Sequence, residues 1–179
     1  PTPALKALDG DNGRVIYIGT LSKLLAPGLR LGFLVAPDDL IDALCAVRNG
    51  TDHRVPMPLQ ATAADFIGNG HLGAHIRRSK VLYAERRAAL LSAINSEGSG
   101  WLTMPTASTG LHMVTELPDC CNDQALAAAA RMRQIGVTPL SGYFVNAFRT
   151  QRQGLLMGFG NTRAESMKGA IRTVCRLIE

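Results

Sequence analysis

Lys23 stands in the run Gly19-Thr20-Leu21-Ser22-Lys23-Leu24-Leu25-Ala26-Pro27-Gly28-Leu29-Arg30-Leu31-Gly32, a single lysine framed by hydroxyls, small residues and one arginine. A lysine attacks a carbonyl only as the neutral amine, so Schiff-base chemistry requires its ammonium to be destabilised, for example by desolvation. Leu21, Leu24 and Leu25 are the apolar neighbours that can supply this. A phosphate asks instead for hydrogen-bond donors and a fixed positive charge, which Thr20, Ser22 and the forked guanidinium of Arg30 offer together. Gly28 lets the backbone bend between the two groups. The combination suits an aldehyde that also carries a phosphate. By residue type and spacing alone, the run also fits an ordinary loop with a solvated lysine, followed by a strand arginine.

Other candidate chemistry is thinner. His53, His71, His75 and His112 are scattered and none has a placed carboxylate, so each reads as structural. His112, in Gly110-Leu111-His112, reads as a strand histidine packed at a domain interface, and Tyr143 as a packing residue rather than a cofactor contact. The glycines at 28 and 32 fit neither the Walker spacing nor the dinucleotide pattern. Cys45, Cys120, Cys121 and Cys175 include no CxxC pair and no histidine at ligand spacing, which argues against a metal site. Cys45 and Cys175 read as small core hydrophobes in helical runs, while Cys120 and Cys121 follow Pro118-Asp119 in a loop.

The elements that must position Lys23 follow from periodicity. Residues 14–19 read as a buried strand that delivers Lys23 on the loop after it, and residues 29–35 as the next strand, ended by Pro37. The Asp38-Asp39 pair then caps a helix over 40–47, and a further helix runs through 59–66 to a break at Gly68-Asn69-Gly70. A long helix over 71–95 places Leu72, Ile76, Tyr83, Leu90 and Ile94 near one face. Beyond the hinge-like Gly98-Ser99-Gly100, strands are expected at 101–104, 110–117, 137–140 and 155–159. A helix over 122–135 is stopped by Gly136, and a closing helix over 162–178 carries Met167, Ile171, Val174 and Ile178 at helical spacing. Strands and helices sharing one sheet make a two-layer α/β unit.

Composition sets the class. The 179 residues are 46% hydrophobic and 18% charged, as in an ordinary globular protein with a real core. The net charge of +5 is spread along amphipathic helices without interleaved aromatics, which argues against a nucleic-acid groove in this segment. No apolar run reaches membrane-spanning length and no leader pattern is present, so reduced thiols and a cytoplasmic location are expected.

The segment 19–33, ending Leu-Arg-Leu-Gly-Phe, resembles the lysine segment of fold-type I pyridoxal-phosphate enzymes, the aspartate aminotransferase superfamily. It is most similar to the aminotransferase-like domain of MocR-type regulators in the GntR group. His75-Ile76-Arg77-Arg78 with residues 82–91 resembles the long helix of that group, Gly110-Leu111-His112 its strand entering the small domain, and residues 137–144 the segment that follows. The resemblance implies an α/β fold, the C-terminal portion of a fold-type I transferase. Residues 1–70 would be the remnant of the large cofactor-binding domain with the lysine loop, 71–97 the connecting helix, and 98–179 the small two-layer domain.

It further implies pyridoxal 5'-phosphate held as a Schiff base on Lys23, with Thr20, Ser22 and Arg30 on the phosphate. Homodimerisation and DNA contact through a winged helix N-terminal to this chain are expected on the same ground. The chain is then a fragment without the aspartate that pairs with the pyridine nitrogen, since neither Asp9 nor Asp11 lies in a matching context. One departure bears on activity: Leu156, in Leu155-Leu156-Met157-Gly158-Phe159, stands where the group's aminotransferases carry the arginine that grips the substrate carboxylate. Arg149, Arg152 and Arg163 are near in sequence, but no motif gives them that role. The resemblance thus implies a cofactor-binding effector domain of a regulator, with an amino-acid or amine aminotransferase as the alternative.

Overall fold

The computed structural model describes residues 3–51, 56–98, 100–104, 110–144 and 152–178. The chain forms two compact units, Pro1–Ile76 and Arg77–Glu179. His53, residues 105–109 and Arg149 lie outside the described residues.

In the first unit, helix α1 (Leu5–Asp9) passes through a 3-10 turn (Gly10–Asn12) to strand β1 (Tyr17–Thr20), which pairs antiparallel with β2 (Gly32–Val35). The strand expected at 14–19 starts later for a visible reason. Buried Asp9 accepts hydrogen bonds from the backbone N–H of Arg14 (3.0 and 3.3 Å) and Val15 (3.1 Å), which withdraws those groups from a ladder. Asp9 also lies 3.6 Å from Lys6 Nζ, so its carboxylate serves the local fold. The first strand is not buried as expected: Ile18 is 75% exposed, and Phe33, Leu34 and Val35 on the partner strand are exposed as well, in a sheet of two strands. Gly19 faces Phe33 across the ladder, and a methyl group there would run into the Phe33 ring.

Helix α2 (Asp38–Thr51) is longer than the periodicity indicates and carries Asp38 and Asp39 in its first turn, where the helix dipole favours anions. Cys45 on it is exposed, not a core residue. Helix α3 (Met57–Gly68) starts behind Pro56 and ends at Asn69, with Gly70 at φ 76° taking the left-handed turn. Helix α4 (His71–Glu97) begins in this unit, where His71 packs tilted against Phe66 at 5.6 Å, and continues into the second.

The second unit is built on a three-stranded antiparallel sheet in the order β3 (His112–Glu116), β5 (Gly154–Gly158), β4 (Thr138–Pro139). Residues 101–104 contribute only the bridge Thr103↔Glu116 where a strand is expected from the sequence. Alternation sorts the faces: Met113, Thr115, Leu155 and Met157 are buried, while Val114 and Leu156, paired across the ladder, are half-buried. The core is completed by Leu90 and Ile94 of α4, Leu126 and Ala130 of α5 (Asp123–Met132), and Met167, Ile171, Val174 and Cys175 of α6 (Ala164–Arg176). Gly98 also packs inside this unit, where a Cβ would meet the Ile94 carbonyl at 2.7 Å and Leu102 Cδ1 at 3.0 Å.

Polar groups fix how these elements join. Asn122 caps α5 by accepting from Ala125 N at 2.9 Å. The Asp123 carboxylate, fully buried, accepts from Ser141 N (2.8 Å), Ser141 Oγ (2.6 Å) and Gly154 N (3.1 Å), tying α5 to the 3-10 turn Ser141–Tyr143 and to β5. Helix α5 ends at Met132 with Gln134 in the left-handed conformation (φ 62°), so Gln134, not Gly136, makes the stop. At the end of α4, Glu97 is gripped by Arg172 Nε (2.8 Å) and Nη2 (3.0 Å), with Lys168 Nζ at 3.5 Å. Arg172 first and Lys168 second hold the Glu97 carboxyl down at about 2. Among the described residues no helix is long and apolar enough to cross a membrane.

Candidate functional site: the Lys23 loop

The loop between β1 and β2 closes at its neck. Leu31 O accepts Leu21 N at 2.9 Å and Thr20 Oγ1 at 3.4 Å, and Thr20 Oγ1 in turn accepts Ser22 N at 3.1 Å. Leu21 is buried (5% exposed) and anchors this neck. Above it, residues 22–25 make a turn closed by Leu25 N donating to Leu21 O at 2.8 Å, and Pro27 opens a 3-10 turn (Pro27–Leu29). The return to β2 is made by Arg30 in the left-handed conformation, φ 49° and ψ 33°. Gly28 shows no positive φ, so the bend assigned to it is carried by Arg30. For the same reason the strand expected to start at 29 starts at Gly32.

Lys23, Thr20 and Arg30 are exposed and Ser22 is half-buried. Among the described residues, neither Lys23 Nζ nor the Arg30 guanidinium has a hydrogen-bond or ion-pair partner. The desolvation expected from three leucines is not supplied by this loop: Leu21 turns into the neck, while Leu24 is 42% exposed. Nor does the loop line one cavity found in its unit, a space of about 580 Å3 bounded by Ile18, Phe33, Leu34, Ile41, Leu44 and Cys45. One amine, one hydroxyl and one guanidinium, presented to solvent from one loop, are a donor set that fits a phosphate-bearing aldehyde. The Leu31 carbonyl, which holds the neck, escapes sequence reasoning, since a backbone acceptor leaves no residue-type signal.

The second unit carries the other flagged residues. Leu156 sits mid-strand on β5, opposite Val114 on one side and Thr138 on the other. It lines a concavity of about 430 Å3 with His112 and Arg131, and His112 is exposed. Tyr143 is 62% exposed, against its reading as a packing residue. Arg152 is committed to Glu116 at 2.9 Å on the surface. Arg163 stands just before α6 as its N-cap residue. Cys175 is buried as expected, and among the described residues no cluster of three or more metal-ligating side chains occurs.

The family model for class I and II aminotransferases matches residues 3–152. The chain belongs to this family. Its mixed α/β architecture is that of fold-type I aminotransferases: it superposes with a TM-score of 0.85 on LysN, an α-aminoadipate aminotransferase of Thermus thermophilus solved in complex with N-(5'-phosphopyridoxyl)-L-leucine. That match is 25% identical and covers 99% of this chain and 45% of the other. Among curated proteins, the chain is 34% identical to the probable rhizopine catabolism regulatory protein MocR of Rhizobium meliloti, over 97% of this chain and 35% of the relative. It is 33% identical to the uncharacterized HTH-type transcriptional regulator YhdI of Bacillus subtilis, over 96% of this chain and 36% of the relative. The aminotransferase-family chain thus spans about a third of the length of these curated relatives.

Proposed function

We propose that this chain is a pyridoxal-phosphate-binding, aminotransferase-like effector domain of a GntR/MocR-type transcriptional regulator, with Lys23 as the covalent anchor. The observation that carries the reading is the unpartnered Lys23 amine on a braced loop that also presents Ser22 and Arg30. Arg30 supplies the fixed charge for the phosphate and Ser22 a hydroxyl donor. Thr20, whose hydroxyl already bridges Ser22 N and Leu31 O, acts by holding the loop in shape. When bound, the cofactor supplies an aldehyde carbon for the amine and an electron-accepting ring. In this reading residues 1–70 belong to the cofactor-binding domain, 71–97 to the connecting helix and 98–179 to the small domain. A homodimer, a cytoplasmic location and DNA contact through an N-terminal winged helix complete the proposal.

Two observations favour an effector over a catalyst. The relatives with 33–34% identity are named as regulators. On β5, leucine occupies position 156 and cannot grip a carboxylate by charge, while nearby Arg152 is paired with Glu116. An effector then works by differential affinity of the cofactor or an amine ligand for two states of the protein. Aminotransfer is the second reading, on the strength of the family itself.

The test is spectroscopic, on the longest natural form of the protein that contains this chain. Incubation with pyridoxal 5'-phosphate should give a visible absorption band that borohydride bleaches while leaving the cofactor covalently attached, and Lys23→Ala should abolish both the band and the attachment. Retention of the band in the variant sinks the assignment of Lys23. Amino-acid-dependent conversion to pyridoxamine phosphate with release of a keto acid would establish the enzyme instead, whereas DNA affinity that changes with cofactor or amine supports the regulator.

A further inference from the structure

Cys120 and Cys121 are adjacent in a turn closed by Cys121 N donating to Pro118 O at 2.9 Å, and both are free thiols. Cys120 is exposed and Cys121 half-buried. Together they line a groove of about 430 Å3 with Trp101, Leu126, Leu177 and Ile178. Burial pushes the Cys121 thiol up from its ordinary value, and the hydrogen-bonding Cys120 thiol beside it adds to the push. Two sulfurs therefore lie side by side at the mouth of an apolar groove, on a different unit from the Lys23 loop.

Such a pair can close as a disulfide or bind one soft atom through both sulfurs. Neighbouring Cα atoms are about 3.8 Å apart, below the ~4.4 Å at which disulfides ordinarily begin. Closure therefore strains the backbone, and a strained, exposed disulfide is readily reduced. A bridging atom bonds each sulfur separately and avoids that ring. Zinc is a poor occupant, because it takes four ligands and needs thiolates, and among the described residues no third or fourth ligand is near. We propose that Cys120 and Cys121 form a dithiol site for monosubstituted trivalent arsenicals, whose apolar substituent lies in the groove beside Trp101 and Leu126. In the reaction, the arsenic–oxygen bond of R–As=O is replaced by two As–S bonds. The oxygen leaves as water with the two thiol protons, and arsenic stays trivalent. A thiol held protonated is no obstacle to this step, since its proton departs with the oxygen.

The test titrates phenylarsine oxide into the reduced 179-residue chain. One adduct per chain is expected by intact mass, and the emission of Trp101, the sole tryptophan, should change in step with it. Because both attachments must be exchanged together, excess glutathione should leave the adduct in place and dithiothreitol should remove it. Cys120→Ser and Cys121→Ser should each weaken capture by about 100-fold or more, the advantage of a second intramolecular attachment. Cys45→Ser, in the other unit, should change nothing. Cys120 is exposed, so Cys120→Ser tests the site without risk to the core. Capture that persists in Cys120→Ser, reverses with glutathione or is lost in Cys45→Ser would overturn the proposal. A disulfide at 120–121 that survives excess reduced glutathione would overturn the strain argument behind it.

Discussion

Replacing Asp123 by alanine tests the polar joint that fixes β5 and the turn after β4. The carboxylate is completely buried and accepts from Ser141 N, Ser141 Oγ and Gly154 N at 2.6–3.1 Å. Alanine leaves two buried backbone donors without partners, each costing about 1–3 kcal/mol. The Ser141 hydroxyl loses the bond it donates and keeps only the one it accepts from Gln124 Nε2 at 3.2 Å. The sum is about 3–5 kcal/mol, a third or more of a typical domain's stability. At roughly 3 °C per kcal/mol for a chain of this size, the melting temperature should fall by about 10–15 °C. Asp123→Asn keeps an acceptor oxygen and should lose about half as much. The assay is urea unfolding followed by Trp101 emission and far-ultraviolet circular dichroism, with an unchanged slope showing that stability alone has moved. A loss under ~1 kcal/mol for Asp123→Ala would refute the claim that this carboxylate joins the elements.

Other consequences are equally direct. Glu97, held at about 2 in the folded chain by Arg172 and Lys168, contributes stability that is complete above the unfolded carboxylate value and is lost as pH falls towards 2. The melting-temperature gap between parent and Glu97→Gln should therefore be constant near neutrality and close between about pH 4.3 and 2; a gap that widens on acidification contradicts the pairing. Gly154→Ala should cost about 2–3 kcal/mol in urea, since its methyl would meet Thr115 O at 2.5 Å and Leu140 Cδ2 at 2.9 Å inside the β3–β5 ladder. Arg30→Gly should separate two properties, raising stability by up to ~1 kcal/mol by relieving a left-handed arginine while weakening pyridoxal-phosphate binding. Unchanged cofactor affinity would remove Arg30 from the phosphate.

Much of this is legible because it is local. The helical spacing of Met167, Ile171 and Val174 marks the buried face of α6, and the Gly68-Asn69-Gly70 break falls where Gly70 turns left-handed. Lys23, Ser22 and Arg30 share the one loop between β1 and β2, as their closeness in sequence requires. Local reasoning fails where partners distant in the fold set the outcome. Residue type assigns both left-handed positions to nearby glycines, yet Arg30 and Gln134 hold them, because the neck at Leu21 and Leu31 and the end of α5 fix where each chain reversal must fall. The start of β1 is set by Asp9, five residues before Arg14 and outside any strand pattern.

The sequence by itself determined the family, through a contiguous lysine segment and ordered matches along the chain, and it named the groups a phosphate-bearing aldehyde would need. Such information lies in residue types close together, where covalent spacing keeps them near one another. Tertiary structure decided what those groups are free to do: the neck engages the Thr20 hydroxyl, Lys23 stands exposed to solvent, and Arg152 is spent on Glu116. It also decided that Asp123 is a joint and that two adjacent cysteines open onto an apolar groove. Burial and partnership come from segments far apart in sequence, so only the folded chain fixes them.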